Sequence, residues 1–393
     1  MTSSTSQRTR LSTRVQSIQP SGIRRFFDLA SKMENIISLG VGEPDFVTPW
    51  NVREASISSM ERGFTAYSAN AGIIELREAI SRYLYERFHI GYDPESEILV
   101  TVGASEAIDI GMRAIIDEGD EVIVVEPSFV SYAPLVTMAG GVPVPVGTHI
   151  DTDFQVTPAQ IEAAITPRTK AIILCFPNNP TGSIMGKEEL EAVAKVISGN
   201  DLIVFSDEIY AELTYDGTHV SLASMDGMRE RTVLISGFSK AFAMTGWRLG
   251  YVCAPDDILS AMLKIHQYSL MCAPTMAQHG ALEALETGMD DVHRMVQSYR
   301  QRRNFVVKTF TEIGLTCPMP GGAFYAFPSV KETGLTSEEF AERLLMEEHV
   351  AVVPGNVFGE GGEGHIRCSY ATSMEHLETA LERIGRFVQK CKQ

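Results

Sequence analysis

The sequence predicts an α/β fold, a mainly parallel sheet covered by helices on both faces, followed by a smaller α+β unit. Two patterns lead there. Between about Asn51 and Leu285, short apolar β-branched runs alternate with amphipathic stretches, as strand–helix–strand units require. After about Asp290 the alternation stops. A long helical run, short strand-like pieces and a terminal helix follow.

The strands come first. ILVTV from Ile98, VIVV from Val122, AIILCF from Ala171, LIVFS from Leu202, TVLIS from Thr232 and LGYVCA from Leu249 are apolar nearly throughout. They are too short for helices and read as strands buried on both faces. The helices are read from period. Ile74, Leu76, Ile80, Leu84 and Phe88 fall on one face of a helix over Ile73 to Phe88, and Lys187 to Ile197 repeats the pattern. Val292 to Ile313 is the long helical run, and a terminal helix starts at about Met374.

Bulk properties narrow the function. The 393 residues are 44% hydrophobic and 21% charged, enough to bury a large core and to divide into two domains. The formal net charge of -17 repels phosphate backbones and argues against nucleic acid as a partner. No apolar run reaches the length of a membrane span. Cys175, Cys253, Cys272, Cys317, Cys368 and Cys391 show no metal-ligand spacing, so they are expected as reduced thiols in a cytoplasmic protein. The first residues, MTSSTSQRTRLSTR, resemble a transit peptide in composition, lack the apolar core of a secretory signal, and are read as an N-terminal arm.

In open α/β sheets, ligands bind beyond the carboxyl ends of the strands. Those ends carry GASEA from Gly103, EPSFVSY from Glu126, PNNPTG from Pro177, DEIY from Asp207 and GFSKAFAMTGWRLGY from Gly237. Each is polar, aromatic or glycine-rich, and together they surround one place. Gly103, Ala104 and Ser105 open a helix after a strand and so offer free backbone N–H groups to an anion. LGVGEPDF, from Leu39, tempts a dinucleotide-binding reading, but the sixth position of that fingerprint is Asp45 rather than glycine.

GFSKAFAMTGWRLGY, with PNNPTG, the DEIY run and the arginine of HIRCSY, resembles the class I/II aminotransferases, fold-type I enzymes dependent on pyridoxal phosphate. The likeness runs from LGVGEPDF to SYATS, and SGIRRF and SFVSYAP bring it nearest to prokaryotic and archaeal aromatic and aspartate aminotransferases. The resemblance implies a seven-stranded, mainly parallel sheet sandwiched by helices in a large domain over 45–290. It implies a small domain over 291–393, joined by an N-terminal arm over 1–44.

The resemblance also assigns roles. Lys240 would hold the cofactor's aldehyde and, once released, act as the proton carrier. Asp207 would pair with the protonated ring nitrogen. Asn179 and Tyr210 would bond the phenolic oxygen, and Phe129 would stack on the ring. Gly103, Ala104, Ser105, Ser239 and Arg248 would hold the phosphate, with Tyr67 reaching in from a neighbouring subunit. Arg367 would grip the substrate carboxylate, with Gly42, Asn179 and Ile23 beside it. One departure is plain: a serine is frequent three positions before the lysine, and here that position is Gly237. Outside this context Asp207 would read as a helix cap and Asn179 as a turn residue.

The expected activity is transfer of the α-amino group of an aromatic or aspartate-type L-amino acid to a 2-oxo acid such as 2-oxoglutarate, in two half-reactions. A C–S lyase or decarboxylase of the same fold is the alternative. A pyridoxal-phosphate-binding regulator would need a DNA-binding domain before residue 50, where the chain has neither length nor basic charge for one. The expected assembly is a homodimer with shared sites. The stretch His266 to Met271 is expected at the substrate pocket, without an arginine for a distal carboxylate; Arg24 or Arg25 could supply one.

Overall fold

The strands of the computed structural model, which describes residues 10–20, 22, 33 and 35–392, follow the apolar runs closely. In chain order they are β1 (Ile37–Ser38), β2 (Ile98–Thr101), β3 (Glu121–Glu126), β4 (Val142–Gly147), β5 (Thr169–Cys175), β6 (Ile203–Asp207), β7 (Thr232–Gly237), β8 (Gly250–Cys253), β9 (Tyr325–Ala326), β10 (Val350–Ala351), β11 (Val353–Pro354) and β12 (Ile366–Ser369). Seven of them form one sheet in the order β2-β8-β7-β6-β5-β3-β4.

Side-chain alternation along these strands divides the core. Val122, Val124, Ala171, Ile173, Phe205, Val233 and Ile235 face the helices Ala104–Ile115, Tyr132–Ala139 and Asp256–Ser269. Ile123, Val125, Ile172, Leu174 and Val204 face the helix Lys187–Gly199 through Leu190, Val193 and Ile197. Both faces are dry, so continuous apolar runs, rather than alternating ones, were the right signature. Each fully buried aliphatic side chain contributes about 1.5–3 kcal/mol.

The apolar runs account for six of the seven strands. The seventh, β4, reads VPVPVG, and prolines demote a run in any sequence-based reading. The structure resolves the conflict by placing β4 at the sheet edge, bonded to β3 alone, where a missing N–H can face outward. The second surprise is direction. β8 runs antiparallel to both β2 and β7, while the other pairs are parallel. The connection from Phe238 to Leu249 therefore returns to the edge where β7 ended, and Arg248 arrives beside Lys240.

Beyond the sheet, the helix Met289–Glu312 leads to a three-stranded antiparallel sheet, β11-β12-β9, and to the helices Ser337–Glu348 and Met374–Cys391. The N-terminal β1 pairs in parallel with β10, Ile37 opposite Val350. Thr336 starts its helix with a reciprocal capping box to Glu339. All six cysteines are free thiols. Among the described residues no helix is long and apolar enough to cross a membrane.

One packing constraint ties the sheet to the helix Ala104–Ile115. A Cβ on Gly250 would lie 2.7 Å from Ala104 N and 2.7 Å from Gly103 C. Gly250→Ala should therefore destabilise the fold by about 1–3 kcal/mol through overpacking. A thermal melt would read this as a lower midpoint; a midpoint equal to wild type would show that helix and sheet separate freely.

Candidate active site

A cavity of about 530 Å³ opens at the carboxyl edge of the sheet. Of the residues expected there, Gly42, Ala104, Ser105, Phe129, Asn179, Asp207, Tyr210, Ser239, Lys240, Arg248 and Arg367 all line it. Gly103 lies just behind the lining, under Arg248. Tyr67 does not line it; the side chain is 78% exposed and stands outside its own chain's cavity. Ile23, Arg24 and Arg25 lie outside the described residues.

Lys240 follows β7 by three residues and is partly buried. Its Nζ donates to Gly42 O at 2.7 Å, and the rings of Tyr210 and Phe324 stand 5.8 Å away. Burial, then the charge of Arg367, lower its pKa to about 8, against the opposing pull of Glu43 and Asp207. An amine so placed is a better nucleophile and base near neutral pH than an ordinary lysine.

Asp207 closes β6 and is 5% exposed. Its Oδ2 accepts from Tyr132 Oη at 2.6 Å and its Oδ1 from Ile209 N at 3.2 Å. Burial raises its pKa, while those two hydrogen bonds and Lys240 oppose the rise. No lysine, arginine or histidine pairs with it among the described residues. A buried carboxylate without a cation is suited to receive a cationic N–H from a ligand.

On the opposite wall stands Arg367, on β12 and 4% exposed. Nη1 donates to Asn179 Oδ1 at 2.9 Å and Nη2 to Gly40 O at 2.7 Å. Its guanidinium lies between the rings of Tyr325 (4.5 Å) and Phe358 (4.9 Å), and Nε has no partner. No carboxylate among the described residues balances this charge. Because Asn179 Oδ1 is taken by Arg367, the amide's Nδ2 is left as a donor. Tyr210 and Tyr325 share a hydrogen bond of 2.8 Å, and burial raises the pKa of both. Two hydroxyls sharing one bond leave one O–H to offer elsewhere.

The third feature is an anion cradle. The helix Ala104–Ile115 begins at Gly103, with φ 79° and no side-chain cap, so the N–H groups of its first turn are not consumed by a capping side chain. Arg248 reaches over this end: a Cβ on Gly103 would lie 2.7 Å from Nη2. Arg248 itself takes a left-handed backbone, φ 53°, an uncommon conformation for a non-glycine residue. Its Nη1 bonds only backbone, at Thr245 O. Position 237 explains its own departure. A Cβ there would meet Gly250 Cα at 2.7 Å, so a serine would push the two strands apart.

Sequence reasoning missed Tyr132 and Tyr325, which line the cavity and bond Asp207 and Tyr210. Tyr132 lies three residues after Phe129 and packs against it edge-on at 5.6 Å; the run was read for one aromatic and held two. The stretch His266 to Met271, expected at a pocket shared with a partner subunit, stands outside its own chain's cavity. Leu259, Met262 and His266 form the buried face of the helix Asp256–Ser269, and His266 Nδ1 lies 2.5 Å from Glu106 Oε1. Tyr268, by contrast, is 94% exposed.

Known proteins resemble this chain across nearly their whole length. The family described as Aminotransferase class I and II matches residues 34–384. A putative aminotransferase, YugH, of Bacillus subtilis is 62% identical, over 97% of this chain and 98% of that protein. An aspartate aminotransferase of Pyrococcus abyssi is 46% identical, over 97% and 99%. The crystal structure of an aromatic aminotransferase from Pyrococcus horikoshii superposes with a TM-score of 0.89 at 44% identity, over 94% of this chain and 99% of that one. The chain belongs to the class I and II aminotransferases.

Proposed function

We propose that this pyridoxal-phosphate-dependent aminotransferase holds its cofactor in the cavity just described and takes amino acids with uncharged side chains, aromatic ones included, as donors. The observation that carries the reading is the set of unsatisfied groups around Lys240. There is an uncapped helix end beneath Arg248, a buried carboxylate without a cation, and a buried guanidinium without an anion. A phosphate, a protonated ring nitrogen and a substrate carboxylate answer these three in turn. The residues thus fit the cofactor that the family uses.

In this reading Ala104, Ser105, Ser239 and Arg248 hold the phosphate, Phe129 covers the ring, and Asn179 and Tyr210 donate to the phenolic oxygen. Lys240 holds the aldehyde. When bound, pyridoxal phosphate supplies an electron-poor ring that stabilises negative charge at the donor's Cα. Asp207, whose carboxylate form the hydrogen bonds from Tyr132 and Ile209 N–H favour against burial, would pair with the protonated ring nitrogen. Arg367 fixes the donor carboxylate in a bidentate grip and so orients Cα. Lys240 Nζ, free again once the donor is seated, carries the Cα proton. Amino groups then enter and leave in two half-reactions.

The donor preference rests on the walls. Ile108, Phe129, Tyr132, Ile209 and Tyr325 supply them, and Lys240, Arg248 and Arg367 are the cations lining the cavity. All three are engaged in the roles above, and none is left for a distal carboxylate among the described residues. In a second copy of the chain Tyr67 would take the last role, reaching the phosphate of its neighbour's site. The neighbouring segments 64–71 and 267–279 are joined by Asn70 to Met271 O (2.7 Å) and by a Phe64–His279 stack (5.1 Å). They expose Phe64, Tyr67, Tyr268, Leu270 and Met271, an apolar set suited to a partner surface.

The rate at which apo-protein captures pyridoxal phosphate should rise with pH and level off above about 8, where Lys240 is neutral; a plateau only near pH 10 would remove Lys240 as the capturing amine, and Lys240→Ala should not form the covalent chromophore. Absorbance of the loaded protein should change with phenylalanine or tyrosine, recover with a 2-oxo acid, and respond more weakly to aspartate. Arg367→Ala should weaken that response by about 2–5 kcal/mol in donor affinity, and an undiminished response would remove Arg367 from the site. Finally, mixing Lys240→Ala with Tyr67→Ala chains should restore activity, because one site of the mixed dimer is then intact. No gain on mixing would place Tyr67 in its own chain's site.

A further inference from the structure

The segment that carries Asp207 and Tyr210 holds a second buried carboxylate that the chemistry above does not use. Glu208 follows Asp207, so strand alternation turns it to the other side of the sheet, with Ser206. It is 4% exposed and has no lysine or arginine partner among the described residues. Three side chains bond it instead. Oε1 accepts from Ser221 Oγ at 2.7 Å and from Ser206 Oγ at 2.9 Å, and Oε2 lies 2.7 Å from His219 Nε2. Facing a carboxylate oxygen, Nε2 serves this contact as the donor when it bears the ring hydrogen. Phe88 closes the cluster edge-on over His219 at 5.4 Å.

Tyr83 and Arg87 hold the far end of this segment at Glu212, and the cluster holds its start. Residues 208–213 form turns rather than a helix. Their internal bonds are two, Ala211 N to Glu208 O and Leu213 N to Tyr210 O. The backbone N–H of Glu208 reaches Ile235 O on β7 at 2.8 Å, while its side chain reaches His219 and Ser221, where the segment comes back to the sheet. Both ends of the excursion bearing Tyr210 therefore close on one residue.

Charge gives a second reason. The charge of Glu208 acts on Asp207 and raises its pKa. It acts also on Tyr92, Cys175, Tyr251 and Cys253, each of which burial holds in the neutral form. Among the described groups in contact with Glu208, His219 is the one able to carry a positive charge.

We infer that Glu208, clamped by His219 and Ser221, is a positioning residue for amino transfer: it fixes the turn that aims Asp207 and Tyr210, and its pairing with His219 screens Asp207 from a second carboxylate. This rests on the roles given to Asp207 and Tyr210 above.

Glu208→Gln and His219→Gln test it in the loaded enzyme. Each should lower kcat roughly tenfold while donor KM moves little, as misaimed reacting groups do. Each should also shift the pH midpoint of the bound chromophore's absorbance, which a merely structural residue would leave in place. The double variant should recover part of both losses, since two amides can bond each other. If Glu208→Gln does not fold, His219→Gln alone decides. Folded variants with wild-type kcat and wild-type absorbance midpoint would overturn the inference. In that case a wild type that captures the cofactor on Lys240 leaves the site assignment standing, whereas a wild type without a chromophore would sink the assignment itself.

Discussion

Backbone lies against backbone where β7, β8 and the helix Ala104–Ile115 meet, and the geometry of the whole cavity depends on that contact. Gly237 and Gly250 are register partners across the two strands, and a Cβ on either would strike main-chain atoms at 2.7 Å. Without side chains to hold the layers apart, three ligand-facing features converge. They are the uncapped helix end at Gly103, the arginine entering β8 and the lysine leaving β7. The antiparallel turn of β8 serves the same end. A parallel strand would have carried Arg248 to the far edge of the sheet, out of reach of the helix terminus. The missing serine at position 237 is thus no lost function in search of a substitute. It follows from how closely this chain packs its strands.

The cavity is also where the fold is least at ease electrostatically. Arg367 is buried with one nitrogen unpartnered and no counter-ion among the described residues, Asp207 is buried without a cation, and Lys240 is held at a depressed pKa. Each departs from the rule that buried charges are paired. The protein could be made more stable by removing these charges, which is the usual relation between an active site and its scaffold. The core carries that cost: both faces of the sheet are apolar nearly without interruption.

Much of this was legible in the sequence because it rests on local chemistry. Buried strands are apolar runs wherever they occur, and the helix Ile74–Phe88 starts within one residue of where its period begins. The residues at the strand ends were legible as a set because an α/β sheet gathers its strand ends at one edge. What escaped depended on tertiary choice. β4 was hidden by its prolines, which only an edge position excuses. The direction of β8 leaves no trace in its composition. The contact of His266 with Glu106 was hidden too, because a helical period shows which residues share a face but not what that face meets.

Tyr132 and Tyr325 belong to a different kind of omission. Neither stands out as chemistry, since each is an aromatic residue 1% exposed, as core residues usually are. Their importance comes from what they touch. Tyr132 gives Asp207 the hydrogen bond that resists the rise in pKa from burial. Tyr325 bonds Tyr210, stacks on Arg367 and leaves no room for a side chain at Gly42, where a Cβ would lie 2.6 Å from its hydroxyl. A single phenol on β9 therefore connects the lysine-holding loop, the arginine on β12 and the turn after β6. Such a residue acts by geometry on the others, so substituting it would disturb several functions at once. Lys240 can be recognised from its own motif, whereas Tyr325 can be recognised only from its neighbours.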